Sequence, residues 1–271
     1  MLNDELVKKI ASSKKYARVY DKTVARIVAD CLKKYSKKQV LKKAKNILHQ
    51  AWGAFDSRPN FKKLFESIDK IENPKQIALS LLKLQSSTNE RIAILDDFYK
   101  KIFNVIGSPK TIVDIGSGLN PLTFFWMNLS KNTEYHAFDI DKDQAWFLKS
   151  FFDLFKVKQV KIDLGDALID KFPKSDVTFF LKVIPLLERQ EKGSTLKILK
   201  KQNSKFLVIS FPTKSISGKQ KGMVDFYSKQ FQDLVKDQPW KTEKLLFESE
   251  LVFIIARSDI SSIPLTIKKH D

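Results

Sequence analysis

Short β-rich runs alternate with longer helical stretches along the C-terminal two-thirds of the chain. This alternation constrains the fold more than any other feature of the sequence. The runs cover residues 111–115, 135–140, 158–163, 177–183, 205–211 and 251–256. Strand–helix alternation is typical of a mostly parallel sheet that is covered by helices on both faces. The sequence therefore predicts an α/β domain over residues 106–271.

The preceding third of the chain has a different pattern. Apolar residues recur at three- and four-residue spacing, as at Val24 and Ile27, which is the periodicity of an amphipathic helix. Pro59 and Pro74 interrupt the pattern, so it predicts several short helices instead of one long one. We expect residues 1–105 to form a separate helical domain.

Positive charge is concentrated in this helical third. The chain of 271 residues has a formal net charge of +18, and residues 1–85 contain 20 Lys/Arg against 8 Asp/Glu. A clustered positive field attracts polyanions such as RNA, whereas the alternative interpretation is an ordinary solvated surface. The candidate RNA-docking charges are Lys14, Lys15, Lys33, Lys34, Lys37, Lys38, Lys42 and Lys43.

Several classes of protein are disfavoured by composition. The single cysteine, Cys31, excludes a disulfide framework, and three scattered histidines do not make a metal-ligand set. There is no run of about 18 apolar residues, and the first residues lack the hydrophobic region of a signal peptide. We expect a cytoplasmic protein with no metal site and no membrane partner.

The first β-rich run ends in a glycine turn. Gly116 and Gly118 allow a tight turn and the close approach of a ligand, and Asn120 can cap a helix that begins at Pro121. Together with Asp114, at the end of the run, these glycines are candidate cofactor-binding residues. The third glycine of the dinucleotide fingerprint is absent, so the turn alone is weak evidence for a nucleotide.

Two further acids strengthen this interpretation. Asp139 ends the second run, 23 residues after Gly116, where a carboxylate can accept hydrogen bonds from ribose hydroxyls. Asp166 follows the third run, where it can accept a hydrogen bond from an adenine amino group. Acids without a phosphate cradle suit S-adenosylmethionine (SAM) better than NAD(P), since SAM has no pyrophosphate. A sheet that binds no cofactor is the remaining alternative.

Six segments together resemble one family. They are LHQAWGAF (residues 48–55), SSTNER (86–91), DIGSGLNP (114–121), PLLERQ (185–190), SFPTKS (210–215) and KGM (221–223). In this order, and over about residues 10–257, the chain resembles the aminoglycoside-resistance 16S ribosomal RNA methyltransferases that modify N7 of guanine 1405. The resemblance implies a basic helical domain docked on a Rossmann-like class I SAM-dependent methyltransferase domain.

The same resemblance implies the substrate and the roles of three residues. The implied substrate is 16S rRNA in the assembled 30S subunit, whose methylation prevents aminoglycosides from binding. Arg91 of the SSTNER segment would pair with the methionine carboxylate of SAM, Asp139 would hold the ribose, and Asp166 would lie beside the adenine.

The chemistry of the residues is compatible with these roles. A guanidinium can grip a carboxylate with two parallel hydrogen bonds, although Arg91 can instead form a surface ion pair with Glu90 or Asp97. Ring N7 of guanine carries a free lone pair, so methyl transfer needs positioning and no general base. We therefore predict no catalytic acid or base.

Candidate RNA-contacting residues follow the fourth and fifth runs, because open α/β sheets bind ligands at the carboxyl ends of their strands. The residues are Lys182, Arg189, Lys214, Lys219, Lys221 and Met223. The loop that holds most of them can also be an ordinary exposed segment. Alternative functions are methylation of another RNA, such as tRNA or 23S rRNA, and non-catalytic ribosome binding. We expect a monomer.

Overall fold

A computed structural model describes residues 2–51, 59–69, 73–214 and 222–257 of the chain. The helices are α1 (Leu2–Ala11), α2 (Asp21–Lys34), α3 (Lys37–Ala51), α4 (Phe61–Glu66), α5 (Pro74–Leu82), α6 (Ser86–Asn89), α7 (Leu95–Ile106), α8 (Lys142–Leu154), α9 (Ile184–Gln190), α10 (Ser194–Lys201) and α11 (Met223–Val235). Short 3₁₀ turns lie at Ile92–Ile94 and Asn120–Trp126.

One seven-stranded sheet forms the centre of the molecule. Its strands are β1 (Thr111–Ile115), β2 (Glu134–Asp139), β3 (Val160–Leu164), β4 (Ser175–Leu181), β5 (Ser204–Pro212), β6 (Lys241–Leu246) and β7 (Glu250–Ala256). The order is β3-β2-β1-β4-β5-β7-β6, and only the pairings that involve β7 are antiparallel. The predicted α/β class and its mostly parallel sheet are confirmed. Strand β6 was not predicted.

Alternating side chains of the strands enter two separate cores. On one face Val113 and Ile115 of β1 join apolar residues of α9, α10 and α11. On the other face Ile112 joins residues of α4, α5, α7 and α8. Because side chains of a strand alternate between faces, a strand that is buried on both faces, such as β1, requires cover on both.

Helices α1–α3 have a third core of their own, and we call them the three-helix unit. Its buried residues are Ile10, Tyr16, Val19, Val24, Ile27, Val28, Cys31, Val40, Ala44 and Leu48. Helices α4, α5 and α7 contribute instead to the core on the sheet. The helical content of the N-terminal third agrees with the prediction, whereas the domain boundary at residue 105 stays a prediction.

Local capping explains where two of the short helices begin. Asn60 accepts a hydrogen bond from the Lys63 amide at the start of α4, and Asn73 accepts one from the Lys75 amide at the start of α5. Pro74 is the first residue of α5, where its missing N–H costs nothing. In the described part of the chain, no helix is both long and apolar enough to cross a membrane.

Candidate functional site

A cleft of about 960 Å³, its open mouth included, lies at the carboxyl ends of strands β1–β4. Strand β1 is flanked by β2 and β4, so the cleft is at the point where the strand order reverses, which is the usual ligand position in open α/β sheets. Five of the predicted cofactor residues line it: Arg91, Gly116, Gly118, Asp139 and Asp166. The structure thus gathers side chains from positions up to 75 residues apart in the sequence.

The turn after β1 requires glycine at two positions, because of its backbone conformation and because neighbouring side chains lie close to it. Gly116 has φ of 67° and Gly118 has φ of 54°, in the left-handed region that favours glycine. A Cβ at Gly116 would lie 2.5 Å from Cγ2 of Val183, and one at Gly118 would lie 2.6 Å from Nε2 of Gln85. The absence of side chains here keeps the floor of the cleft open.

Asp139 ends β2 and faces this turn. Its Oδ2 accepts a hydrogen bond from the Gly118 amide at 2.9 Å, and its Oδ1 accepts one from the Asp141 amide at 3.0 Å. The two amides fix the orientation of the carboxylate. Because each oxygen can accept a second hydrogen bond, the group retains capacity for two ligand hydroxyls.

Arg91 is buried and bound by a carboxylate that the sequence did not suggest. Its Nε and Nη2 donate to Oε2 and Oε1 of Glu250 at 2.9 and 2.7 Å, and its Nη1 donates to Oδ1 of Asn120 at 2.6 Å. The predicted alternative, a surface pair with Glu90 or Asp97, is wrong, because Arg91 is only 1% exposed. Burial alone would lower the pKa of Arg91, but the charge of Glu250 raises it above its usual range.

Lys182 lies at the end of β4 and lines the same cleft. Its Nζ is 2.6 Å from Oε2 of Glu90 and 3.6 Å from Oε2 of Glu250, and its side chain is 8% exposed. Its φ of 58° turns the chain sharply after the strand, and its amide donates to the Ser210 hydroxyl at 3.1 Å. The predicted position beside the cleft is correct, but the charge is already paired within the protein.

Arg91 belongs to a buried network of hydrogen bonds. Asn120 accepts from Arg91 and from the Tyr99 hydroxyl through Oδ1, and its Nδ2 donates to Oδ2 of Asp114 at 2.7 Å. The Tyr135 hydroxyl donates to the same oxygen of Asp114. Asn120 is therefore a linking residue inside the network, and the prediction that its side chain caps a helix at Pro121 is wrong.

Asp114 itself is fully buried and does not line the cleft, in contrast to the other predicted cofactor residues. Burial raises the pKa of Asp114 to about 6, against the opposing effects of the hydrogen bonds from Tyr135 and Asn120. As placed, its carboxylate contacts the network that supports the cleft and no part of the cleft surface. The prediction of direct cofactor contact by Asp114 is therefore not supported by its position.

Asp166 follows β3 and lines the end of the cleft that is opposite Arg91. Its Oδ1 accepts a hydrogen bond from the Leu168 amide at 2.9 Å. Its other oxygen accepts hydrogen bonds from Thr23 and Arg26, both on α2 of the three-helix unit. The sequence did not suggest that this unit contributes to the cleft, because these partners are more than 100 residues from Asp166.

The predicted RNA-contacting residues that the structure describes lie at the end of β4 or in the segments that follow β4 and β5. Arg189 is exposed on α9, Lys214 is exposed after β5 with its Nζ 3.7 Å from Oε1 of Glu248, and Met223 is the half-buried first residue of α11. Lys219 and Lys221 lie outside the described residues. The structure therefore brings the described members of this group to one edge of the sheet.

A further acid stabilises the segment that follows α9. Glu188 accepts hydrogen bonds from the amides of Gly193 and Thr195 at 2.7 and 2.8 Å. Although burial opposes it, these bonds and the Thr195 hydroxyl lower the pKa of Glu188. The acid before Arg189 is thus used to hold the loop between α9 and α10.

Comparison with known proteins agrees with this geometry. A family model described as "Ribosomal RNA methyltransferase (FmrO)" matches residues 12–254. The chain belongs to this family. The match covers helices α2 and α3 of the three-helix unit, strands β1–β6, most of β7 and every residue assigned above to the cleft.

Individual members of the family are similar along nearly the whole chain. A 16S rRNA (guanine(1405)-N(7))-methyltransferase of Proteus mirabilis is 36% identical over 94% of this chain and 97% of its own length. A crystal structure of an rRNA methylase from Escherichia coli is 26% identical, with a TM-score of 0.77 over 94% of this chain and 99% of that one.

The fold is shared with a more distant structure as well. The crystal structure of the 16S rRNA methyltransferase RmtF in complex with S-adenosyl-L-homocysteine has a TM-score of 0.78, at 23% identity, over 94% of this chain and 98% of that one. The predicted Rossmann-like methyltransferase fold with a helical N-terminal region is therefore confirmed.

Two residues that support the cleft were missed in the sequence. Glu250 begins the continuously buried strand β7, and a carboxylate at the head of such an apolar run signals a buried partner. Gln85 accepts a hydrogen bond from the Leu119 amide at 2.8 Å and so holds the glycine turn. Its position in the turn between α5 and α6 offers no comparable signal.

Proposed function

We propose that this chain transfers the methyl group of SAM to N7 of guanine 1405 in 16S rRNA and so confers aminoglycoside resistance. The observation that carries the proposal is the cleft at the reversal of the strand order, where Arg91, Asp139 and Asp166 face one cavity in a chain of the rRNA methyltransferase family. The relatives named for this reaction match more than nine-tenths of the chain.

The donor set of the cleft fits SAM. At one end, Arg91 retains one N–H on each terminal nitrogen beyond its bonds to Glu250 and Asn120, and two N–H groups suit a carboxylate. In the middle, Asp139 retains acceptor capacity for ribose hydroxyls. At the other end, Asp166 lies where the adenine amino group is expected.

When bound, SAM supplies an electrophilic methyl carbon. The residues of this chain then have to hold the cofactor and the guanine in line, because N7 needs no deprotonation. Lys182 lines the cleft, and Arg189, Lys214 and Met223 lie in the segments that follow β4 and β5. Lys219 and Lys221 belong to the same group in sequence. We propose that they contact rRNA and that no side chain acts as general base.

In an A-form helix, N7 faces a deep and narrow groove, so the RNA must be distorted or the base flipped for methylation. The three-helix unit supplies the charges to hold the substrate in that state. All eight of its candidate docking lysines are exposed. We propose that the helical N-terminal region docks on the assembled 30S subunit and that the enzyme acts as a monomer.

The reaction is tested with purified 30S subunits, isotope-labelled SAM and mapping of the product by borohydride–aniline cleavage, which breaks RNA at 7-methylguanine. We expect cleavage at position 1405 and resistance to kanamycin and gentamicin in a susceptible host. Label in tRNA or 23S rRNA alone would show that the target assignment is wrong. Sedimentation of the free protein tests the monomer.

The cofactor site is tested by calorimetry. We expect Asp139→Ala to weaken SAM binding by about 10-fold or more, because a charged acceptor for ribose hydroxyls contributes about 1.5–3 kcal/mol. Asp163→Ala is the matched control, since Asp163 is an exposed acid on the neighbouring strand β3. Equal binding by wild type and Asp139→Ala would overturn the ribose assignment.

A further inference from the structure

The three-helix unit reaches the cleft through the N-terminal half of α2. Arg26 Nε donates to Oδ2 of Asp166 at 3.0 Å, and Arg26 Nη2 donates to Oε1 of Gln190 at 2.8 Å. The side chains of Arg26 and Asp166 are only 10% and 3% exposed. Arg26 and Gln190 both line the cleft. One guanidinium therefore joins α2, the loop after β3 and the end of α9 at the cavity wall.

The acceptor capacity of Asp166 is almost fully used by these contacts. Oδ2 accepts from Arg26 and from the Thr23 hydroxyl, which is 2.9 Å away. Oδ1 accepts from the Leu168 amide. A carboxylate offers about four lone-pair sites, so about one is left, on Oδ1. Three donors fix the rotation of the carboxylate. Because Asp166 lines the cleft, the remaining acceptor site on its Oδ1 is available to a ligand there.

The loop that holds Asp166 is tied to the same helix a second time. The Asp166 amide donates to Oδ2 of Asp170 at 2.9 Å, and Oδ1 of Asp170 is 3.1 Å from Nζ of Lys22. Lys22 is exposed, so this outer pair is screened by water. The buried pair of Arg26 and Asp166 is the one whose loss leaves a charge without a partner inside the cavity wall.

We infer that Arg26 is a positioning residue for the nucleobase end of the cofactor. It holds Asp166 so that the last free acceptor of the carboxylate receives the 6-amino group of adenine, and through Gln190 it fixes α9 against that subsite. The inference rests on the proposed function, since it requires SAM in the cleft. It also makes the three-helix unit a part of the cofactor site in addition to its role in docking.

The test compares two ligands in calorimetry: S-adenosylhomocysteine and S-inosylhomocysteine, in which a carbonyl replaces the 6-amino group. Wild type should bind the adenosine compound at least about 10-fold more tightly, because the carbonyl oxygen would face a carboxylate oxygen. In Arg26→Gln we expect affinity for the adenosine compound to fall about 10-fold and the preference between the two ligands to shrink to about threefold or less.

Two further variants sharpen the test. Arg18→Gln removes an ion pair between the same two parts of the molecule, Arg18 Nε to Asp143 Oδ2 at 2.9 Å, but at an exposed position outside the cleft. It should retain wild-type affinity and preference. Arg26→Lys keeps one charged donor for Asp166 and loses the planar fork that also reaches Gln190, so an intermediate preference is expected.

The ligand preference is a ratio measured on folded molecules, so partial unfolding does not change it. If Arg26→Gln does not fold, the preference of Arg26→Lys decides the inference in the same way. A wild-type preference retained in the Arg26 variants would overturn the role of Arg26 and leave the proposed function standing. Failure of wild type to bind either ligand would instead contradict the cofactor itself.

Discussion

The three-helix unit and the cleft both depend on charge, but they place it in opposite surroundings. The candidate docking lysines of the unit are all exposed, and Lys33, for example, pairs with Asp30 at 3.2 Å where both side chains are exposed to solvent. In the cleft, Arg91 and Glu250 are 1% and 0% exposed and hold each other in a bidentate pair.

The difference lies in what water does to each kind of charge. Exposed charges are screened, so they attract a polyanion over distance, act additively and tolerate substitution. Buried charges are costly to desolvate, so each requires a partner in fixed geometry and loses it at a large cost. We therefore expect substitutions of the exposed lysines to change salt-sensitive RNA binding with little effect on stability. Substitutions of the buried charges in the cleft should instead change stability, with little effect on the salt dependence of binding.

The largest effect is expected for Glu250→Gln. It removes the carboxylate that pairs with the buried Arg91 guanidinium, and we expect a loss of about 3–5 kcal/mol in the free energy of unfolding. Methylation of 30S subunits should fall together with SAM affinity, because the N–H groups of Arg91 are no longer held toward the cleft. Denaturant unfolding and calorimetry measure the two effects.

An exposed ion pair provides the control for that variant. Nζ of Lys101 and Oδ2 of Asp97 are 2.6 Å apart, but their side chains are 48% and 54% exposed. Asp97→Asn should therefore cost less than about 1 kcal/mol. The contrast between the two regions would be broken if Glu250→Gln cost no more than Asp97→Asn.

A smaller effect, which depends on pH, is expected for Asp114. Its folded-state pKa is raised from 3.8 to about 6, so between these values the folded protein binds more protons than the unfolded chain. Stability from this group is therefore lost as pH rises from about 4 to about 6. The shift of about two units corresponds to about 3 kcal/mol at most.

The measurement is the free energy of unfolding of wild type and Asp114→Asn from pH 4 to pH 7. We expect the advantage of wild type over the variant to shrink across this range. Asp163→Asn, at an exposed acid of β3, should show no such trend. A constant difference between wild type and Asp114→Asn would mean that Asp114 keeps its ordinary titration when buried.

The smallest effect on stability is expected for single docking lysines. Lys42→Ala should change the free energy of unfolding by less than about 0.5 kcal/mol, since Lys42 is exposed on α3. It should nevertheless reduce the slope of the logarithm of 30S affinity against the logarithm of salt concentration, by the contribution of about one phosphate contact. Filter binding at several salt concentrations measures that slope.

Lys174 is the matched control for that prediction. It is an exposed lysine just before β4, at the end of the sheet opposite the cleft. Lys174→Ala should leave both the affinity and its salt slope unchanged. An equal effect of the two variants would show that total charge, and not the face of the three-helix unit, determines binding.

The sequence predicted the parallel strands well because each contains a continuous or an alternating run of apolar residues, as in β4 (SDVTFFL) and β3 (VKIDL). The edge strand β6 was missed because it lacks such a run. Most of its side chains are exposed, and its sequence, KTEKLL, has neither a continuous apolar run nor regular alternation. Its place is set by pairing with β7, which is a tertiary contact.

The residues of the candidate cofactor site also divide into those that the sequence could predict and those that it could not. The glycine turn and Asp139 could be predicted because one local motif and one strand end define them. The partners of Arg91 and Asp166 could not, since Glu250 and Arg26 are 159 and 140 residues away in the sequence. Two further positions also depend on tertiary packing. Asp114 is buried beneath the cleft, and helices α4, α5 and α7 pack on the sheet instead of on α1–α3.

Backbone groups connect the three-helix unit to the loop after β2, in addition to the exposed ion pairs there. Val19 and Asp141 form an antiparallel bridge, the Tyr20 amide donates to the Ile140 carbonyl at 2.8 Å, and the Lys142 amide donates to the Arg18 carbonyl at 2.7 Å. Main-chain bonds are indifferent to side-chain identity. The lysines of the docking face can therefore be exchanged, and its preference for one RNA surface retuned, while the distance from that face to the ribose-binding acid stays the same.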